Sequence, residues 1–138
     1  MFRKVAIVVV VALVASASYG AVRKQQEKRS LAKLFYAIGM VESGNNDNVK
    51  PGDQGKSHGR YQIQWAYWKD SGVPGSYRQV TNKAYAERVM IGYWKRHCPK
   101  ALASCDYQTL ARVHNGGPAG YRRSSTLPYW RKVQGHLK

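Results

Sequence analysis

The sequence predicts an α+β fold that is mostly helical, with a small β-hairpin region between the first two helical segments. Three observations carry this. Apolar residues recur at the i, i+3, i+4, i+7 spacing of a buried helix face in several stretches. Between the first two of them, Gly44 to Gly59 is crowded with Gly, Asn, Asp and Lys and holds the turn signals Pro51-Gly52 and Gly55. The chain has 138 residues, 43% of them hydrophobic, which suits one domain with a real core.

Residues 1–20 read as a secretory signal peptide. Arg3 and Lys4 form a positive start, Val5 to Ala15 is an unbroken apolar run, and small residues offer cleavage after Ala17 or Gly20. The run is short for about 30 Å of hydrocarbon, so membrane contact is expected only through this transient leader. The mature protein is expected to be secreted, extracellular and monomeric. Residues 21–30 (AVRKQQEKRS) are predicted to form a flexible basic arm, and residues 31–138 the folded domain.

The first helix of that domain is predicted from Ser30, an N-cap candidate, with Leu31, Leu34, Phe35, Ile38 and Val41 on one face and Gly44 as its stop. The turn-rich segment from Gly44 to Gly59 follows. Tyr61 to Trp68 reads as a short strand running into a helix. A second strong helix covers Asn82 to Arg96, with Ala86, Val89, Met90, Tyr93 and Trp94 on one face and Pro99 beyond its end. A third fits Asp106 to His114, with Tyr107, Leu110, Ala111 and His114 on one side, and Asn115-Gly116-Gly117-Pro118 ends it. A last helix starts near Pro128 and carries Trp130, Val133 and Leu137.

Charge narrows the partners. Lys and Arg number 23 against seven Asp and Glu, a formal +16. Removing the leader with Arg3 and Lys4 leaves +14. An excess of this size suits an anionic partner, and secretion favours an extracellular polyanion over nucleic acid. Secretion also permits a disulfide, and Cys98 and Cys105 are the only pair available. A zinc site near His97, Cys98, Cys105 and His114 matches no standard ligand spacing, so no metal and no cofactor are expected.

The acids are scarce enough to weigh one by one. Glu42 lies four residues after Ile38 and continues the apolar stripe, pointing where the core should be. Burial disfavours the charged form of a carboxyl, and a carboxylic acid kept protonated is what cleavage of a glycosidic bond needs. Asp53, in Gly52-Asp53-Gln54-Gly55, has polar surroundings that keep a carboxylate ionised. Two carboxyls in opposite environments make the acid and stabiliser of a glycosidase. Asp47 and Asp70 are fallback candidates for the second.

Four blocks in order resemble the invertebrate-type (i-type, destabilase) lysozymes: Met40-Val41-Glu42-Ser43-Gly44; Gly59-Arg60-Tyr61-Gln62-Ile63 with Ala66-Tyr67-Trp68-Lys69-Asp70; Ala111 to Pro118; and Tyr129-Trp130-Arg131-Lys132-Val133. The first block also resembles lytic transglycosylases and goose-type lysozymes. The resemblance implies a lysozyme-like fold and a muramidase that cleaves the β-1,4 bond between N-acetylmuramic acid and N-acetylglucosamine, in antibacterial defence or bacterial digestion. Its partners would be peptidoglycan and other anionic wall polymers. Glu42 matches the family's general acid, and Asp53 falls at its second carboxylate if one loop residue is dropped. Tyr61, Gln62, His114, Asn115 and Gly116 are the expected substrate-binding residues, and Trp65, Tyr67 and Trp68 are further candidates for stacking on sugar.

The chain departs from the family in its cysteine content, since i-type lysozymes are usually disulfide-rich and His58 stands where a Cys is common. Some members are reported as isopeptidases, and Ser57, flanked by Lys56 and His58, matches a serine position of the second block. Two alternatives stay beside the hydrolase: a lytic transglycosylase using Glu42 alone, and a non-catalytic cationic antimicrobial or glycan-binding protein on the same scaffold.

Overall fold

The computed structural model describes the backbone of residues 2–138 and the side chains of residues 18–25 and 31–138. The predicted cleavage site at Ala15-Ser16-Ala17, and the side chain of Glu27, lie outside the described side chains. The chain divides into two units, Met1–Ala32 and Lys33–Lys138. In the first, the backbone is helical, including the predicted arm at 21–30, so Ser30 lies within a helix rather than capping one.

That helix, α1, is Phe2–Ser43. Within the second unit its Leu34, Phe35 and Ile38 are buried, as the stripe predicts. Gly44 ends it in the left-handed region (φ +64°), where a residue without Cβ carries no steric penalty. A small antiparallel hairpin follows, β1 (Ser57–His58) paired with β2 (Ile63–Gln64) in the register Ser57 to Gln64 and His58 to Ile63. Strand β2 runs directly into α2 (Trp65–Ser71), the predicted strand-into-helix passage.

Helix α3 (Lys83–His97) buries all five residues of its predicted stripe. Asn82 caps it by accepting the Tyr85 N–H at 3.0 Å. Asp106 does the same for α5 (Tyr107–Gly116), accepting from the Thr109 N–H at 3.1 Å. Helix α6 (Leu127–Gly135) has Pro128 in its first turn and buries Val133. The core gathers around Trp94. Its ring stacks on Phe35 with centroids 5.7 Å apart, and its indole N–H donates to the Leu110 carbonyl at 3.1 Å.

The predicted disulfide is corrected. Cys98 and Cys105 are both free thiols. Pro99–Ser104, read from the sequence as a short loop, is a helix, α4. The two cysteines flank it, seven residues apart. At a rise of 1.5 Å per residue that holds them roughly 10 Å apart, beyond the ~7 Å that a disulfide spans between Cα atoms. Pro99 therefore ends α3 and opens the next helix as its first residue.

Candidate active site

The C-terminal end of α1, the hairpin, α2 and the end of α5 enclose a cleft of about 780 Å³. Glu42, Asp53, Gln62, His114 and Asn115 all line it, together with Ser57, Gln64, Trp65, Tyr67, Lys69, Asp70, Tyr93, Arg96 and Gly117. Residues more than 60 positions apart in sequence thus share one concave surface.

Glu42 sits at the wall of the cleft with its side chain 19% exposed. The Tyr129 hydroxyl, on α6, donates to its Oε1 at 2.7 Å. His114 Nε2 lies 3.6 Å from the same oxygen. Burial, reinforced by the Glu42 charge and hydrogen bond, holds the Tyr129 phenol well above its ordinary titration range, so it remains a donor. On the other side of the His114 ring, Nδ1 meets the Tyr67 hydroxyl at 3.2 Å. Tyr67 is packed face to face with Tyr93, centroids 3.7 Å apart. Burial raises its phenol far above the usual range as well.

Asp53 has the contrasting surroundings that its sequence context predicts. It is exposed, on a single 3₁₀ turn at Asp53–Gly55. Its Oδ2 accepts from the Ser57 hydroxyl at 2.5 Å and from Gln64 Nε2 at 3.2 Å. These two hydrogen bonds, Ser57 first, hold its carboxyl below the ordinary carboxylate range, aided by the Lys56 charge. Asp53 and Gln54 both adopt left-handed backbone (φ 48° and 59°), uncommon away from glycine. The hairpin contacts fix this conformation and with it the carboxylate.

The fallback acids are otherwise engaged. Arg60 grips Asp47 in a fork, Nε to Oδ1 at 2.7 Å and Nη2 to Oδ2 at 3.0 Å, away from the cleft lining. Asp70 reaches the cleft but is paired with His97 Nε2 and, at 3.3 Å, with Arg96.

Two expected substrate contacts lie elsewhere. Tyr61 is 1% exposed in the core, and its hydroxyl donates to Glu87 at 2.7 Å. Gly116 faces Thr126, and Gly117 takes its place on the cleft wall. Gln62 lines the cleft, but its amide clamps the hairpin, accepting from the Gly52 N–H at 3.0 Å and donating to the Gly59 carbonyl at 2.9 Å. Among the candidate stacking rings, Tyr67 is half-buried with its ring stacked on Tyr93, and Trp68 donates to the Tyr85 hydroxyl at 2.8 Å. Trp65, at 54% exposure, presents an open aromatic face to the cleft. The Ser57 hydroxyl is spent on Asp53 and His58 Nε2 meets the Gly55 carbonyl, so neither His58 nor Lys56 is hydrogen-bonded to that serine among the described residues.

Sequence reasoning missed the Tyr129 contact and the Ser57 and Gln64 pair that holds Asp53. An enclosed tyrosine hydroxyl needs a partner, but nothing in the sequence selects Glu42, 87 positions away.

A helical domain in which one helix end and a small hairpin bring two carboxyls to a single cleft defines a lysozyme-like protein. The crystal structure of Meretrix lusoria lysozyme in complex with Aeromonas hydrophila PliI matches with a TM-score of 0.65 and 34% identity, covering 75% of this chain and 87% of that one. In sequence, Meretrix lusoria lysozyme is 36% identical over 105 residues, 74% of this chain and 86% of the relative. Lysozyme 1 of Crassostrea virginica is 42% identical over 80 residues, 56% of this chain; that match spans 44% of the relative's length, under half. Residues 32–135 match the Destabilase family model. The chain belongs to the destabilase family, the invertebrate-type lysozymes.

Proposed function

We propose that this protein is a secreted muramidase that hydrolyses the β-1,4 bond between N-acetylmuramic acid and N-acetylglucosamine in bacterial peptidoglycan. The observation that carries this is the pairing of Glu42 and Asp53 on one cleft in contrasting surroundings: one carboxyl enclosed and held by Tyr129, the other open and held ionised by Ser57. Glu42 protonates the leaving oxygen. Asp53 stabilises or attacks the anomeric carbon, and water completes the hydrolysis. Trp65 offers a platform for a pyranose ring, and Asn115, exposed at the cleft edge, offers an amide to an N-acetyl group. The formal charge of +14 that remains without the leader draws the protein to anionic walls, an attraction that weakens with salt.

The test is Glu42→Gln, which keeps the volume and removes the proton donor. Lysis of a peptidoglycan suspension is expected to fall by at least about 100-fold with thermal unfolding unchanged. Lysis at the wild-type rate by a folded Glu42→Gln protein overturns the assignment.

A further inference from the structure

Both contacts to Glu42 converge on a single carboxyl oxygen. The Tyr129 hydroxyl reaches Oε1 at 2.7 Å, and His114 Nε2 lies 3.6 Å from that same atom. The orientation of the imidazole is set from behind. The Tyr67 hydroxyl, half-buried on the cleft wall, has one hydrogen-bond partner among the described residues, His114 Nδ1 at 3.2 Å. With the Tyr67 hydroxyl as donor, Nδ1 is the acceptor. The hydrogen of a neutral imidazole is then on Nε2, the nitrogen that faces Glu42. At 3.6 Å this contact is longer than a hydrogen bond, and it acts as a nearby N–H dipole.

We propose that Tyr129 and His114 are positioning residues that make Glu42 Oε1 a permanent acceptor and so confine the acidic proton to Oε2. The proposal rests on Glu42 being the general acid and adds which oxygen does the work and what holds it. A proton on Oε1 would face two other hydrogens; on Oε2 it faces none of them. During cleavage the proton passes from Oε2 to the leaving oxygen as the glycosidic C–O bond breaks. The carboxylate that remains keeps its Oε1 donors, and the attacking water returns a proton to Oε2 as it adds to the anomeric carbon. The Tyr67 ring, itself stacked on Tyr93, holds the imidazole on its far side.

The test is Tyr129→Phe, which removes one oxygen and keeps the ring. With a soluble peptidoglycan fragment, kcat is expected to fall by about 10- to 100-fold while KM stays within about twofold. Tyr67→Phe, which touches no carboxyl, should lower kcat by a few-fold by freeing the tautomer, about an order of magnitude less than Tyr129→Phe. It also serves as the second probe should Tyr129→Phe fold poorly. A wild-type kcat in both variants overturns the proposal, as does a loss confined to KM. If Glu42→Gln is inactive and these variants are wild type, only the positioning roles fail; if Glu42→Gln is active, the acid assignment itself fails.

Discussion

The Ser57 hydroxyl donates to Asp53 Oδ2 at 2.5 Å from the neighbouring strand of the hairpin, and Ser57 is itself buried. The open carboxylate of the cleft is thus held by a serine that has almost no access to solvent. This bond is the chief reason the Asp53 carboxyl lies below its ordinary value of 3.8, with the Gln64 amide second. If Asp53 stabilises the anomeric carbon as a carboxylate, protonating it removes that charge, and the rate is expected to fall as pH drops through its folded pKa. Ser57→Ala removes the larger cause and lets that pKa climb back toward 3.8. The acid limb of the kcat/KM profile is expected to move to higher pH, with activity at neutral pH less affected. An acid limb that stays in place shows that Asp53 does not govern it.

Asp53→Asn separates hydrolysis from its transglycosylase alternative. If Asp53 stabilises or attacks the anomeric carbon, the variant loses about 100-fold or more in rate. If hydrolysis is the reaction, the wild-type products are expected to carry one added water by mass spectrometry. Full activity in Asp53→Asn together with 1,6-anhydro-muramyl ends would replace hydrolysis by a mechanism that needs Glu42 alone.

Trp65 is the exposed ring on the cleft, and Lys69 Nζ lies 5.2 Å from its centroid. Aromatic stacking contributes about 0.5–1.5 kcal/mol beyond area burial, or up to roughly tenfold in affinity. Trp65→Ala is therefore expected to raise KM for a soluble fragment by about 3- to 10-fold, with kcat changed less. An unchanged KM would mean that the glycan does not use this face.

How far the sequence determines this picture depends on the range of the interactions. The α3 stripe was fully legible because a 15-residue helix repeats its period several times, and Asn82 and Asp106 mark their helix starts by local chemistry. Glu42 was legible as an inward-facing acid because it keeps the register of Leu34, Phe35 and Ile38. Helix α4 was not, since six residues carry too little period to distinguish a helix from a loop, and the disulfide expectation failed with it. Choosing among Tyr61, Trp65, Tyr67 and Trp68 was equally out of reach. The strand-to-helix passage rotates consecutive side chains between core and cleft, and only tertiary packing decides which ring ends where. The Tyr129 contact depends on how α6 docks, which no local pattern encodes.

The free thiols have a measurable consequence. Burial pushes the Cys98 thiol up to about 11 from an ordinary 9.0. A folded pKa above the unfolded one means that the native state retains its proton while the unfolded chain has lost it. This contribution is therefore complete below about pH 9 and is lost as pH rises from 9.0 toward about 11. Cys98→Ala should flatten the decline in Tm over that window. Adding reductant to the wild type should leave Tm unchanged, whereas a reductant-induced fall would restore the bridge excluded by α4.

Close backbone packing gives the strongest stability prediction. A Cβ on Gly120 would lie 2.1 Å from the Arg112 carbonyl oxygen and 2.9 Å from its carbon, so the turn at Gly120–Arg122 meets α5 backbone to backbone. No side-chain rotation relieves that overlap. Gly120→Ala must push the turn off the helix, at a cost of about 3 kcal/mol, the upper end for overpacking. Gly135, at the end of α6, has nothing within 4 Å of the same position. There an added methyl meets open space, and Ala is the better helix former by up to about 1 kcal/mol. In thermal or urea denaturation the two substitutions are expected to move the midpoint in opposite directions, Gly120→Ala well down and Gly135→Ala slightly up. A Gly120→Ala protein as stable as the wild type would mean that the turn and α5 do not approach this closely in solution.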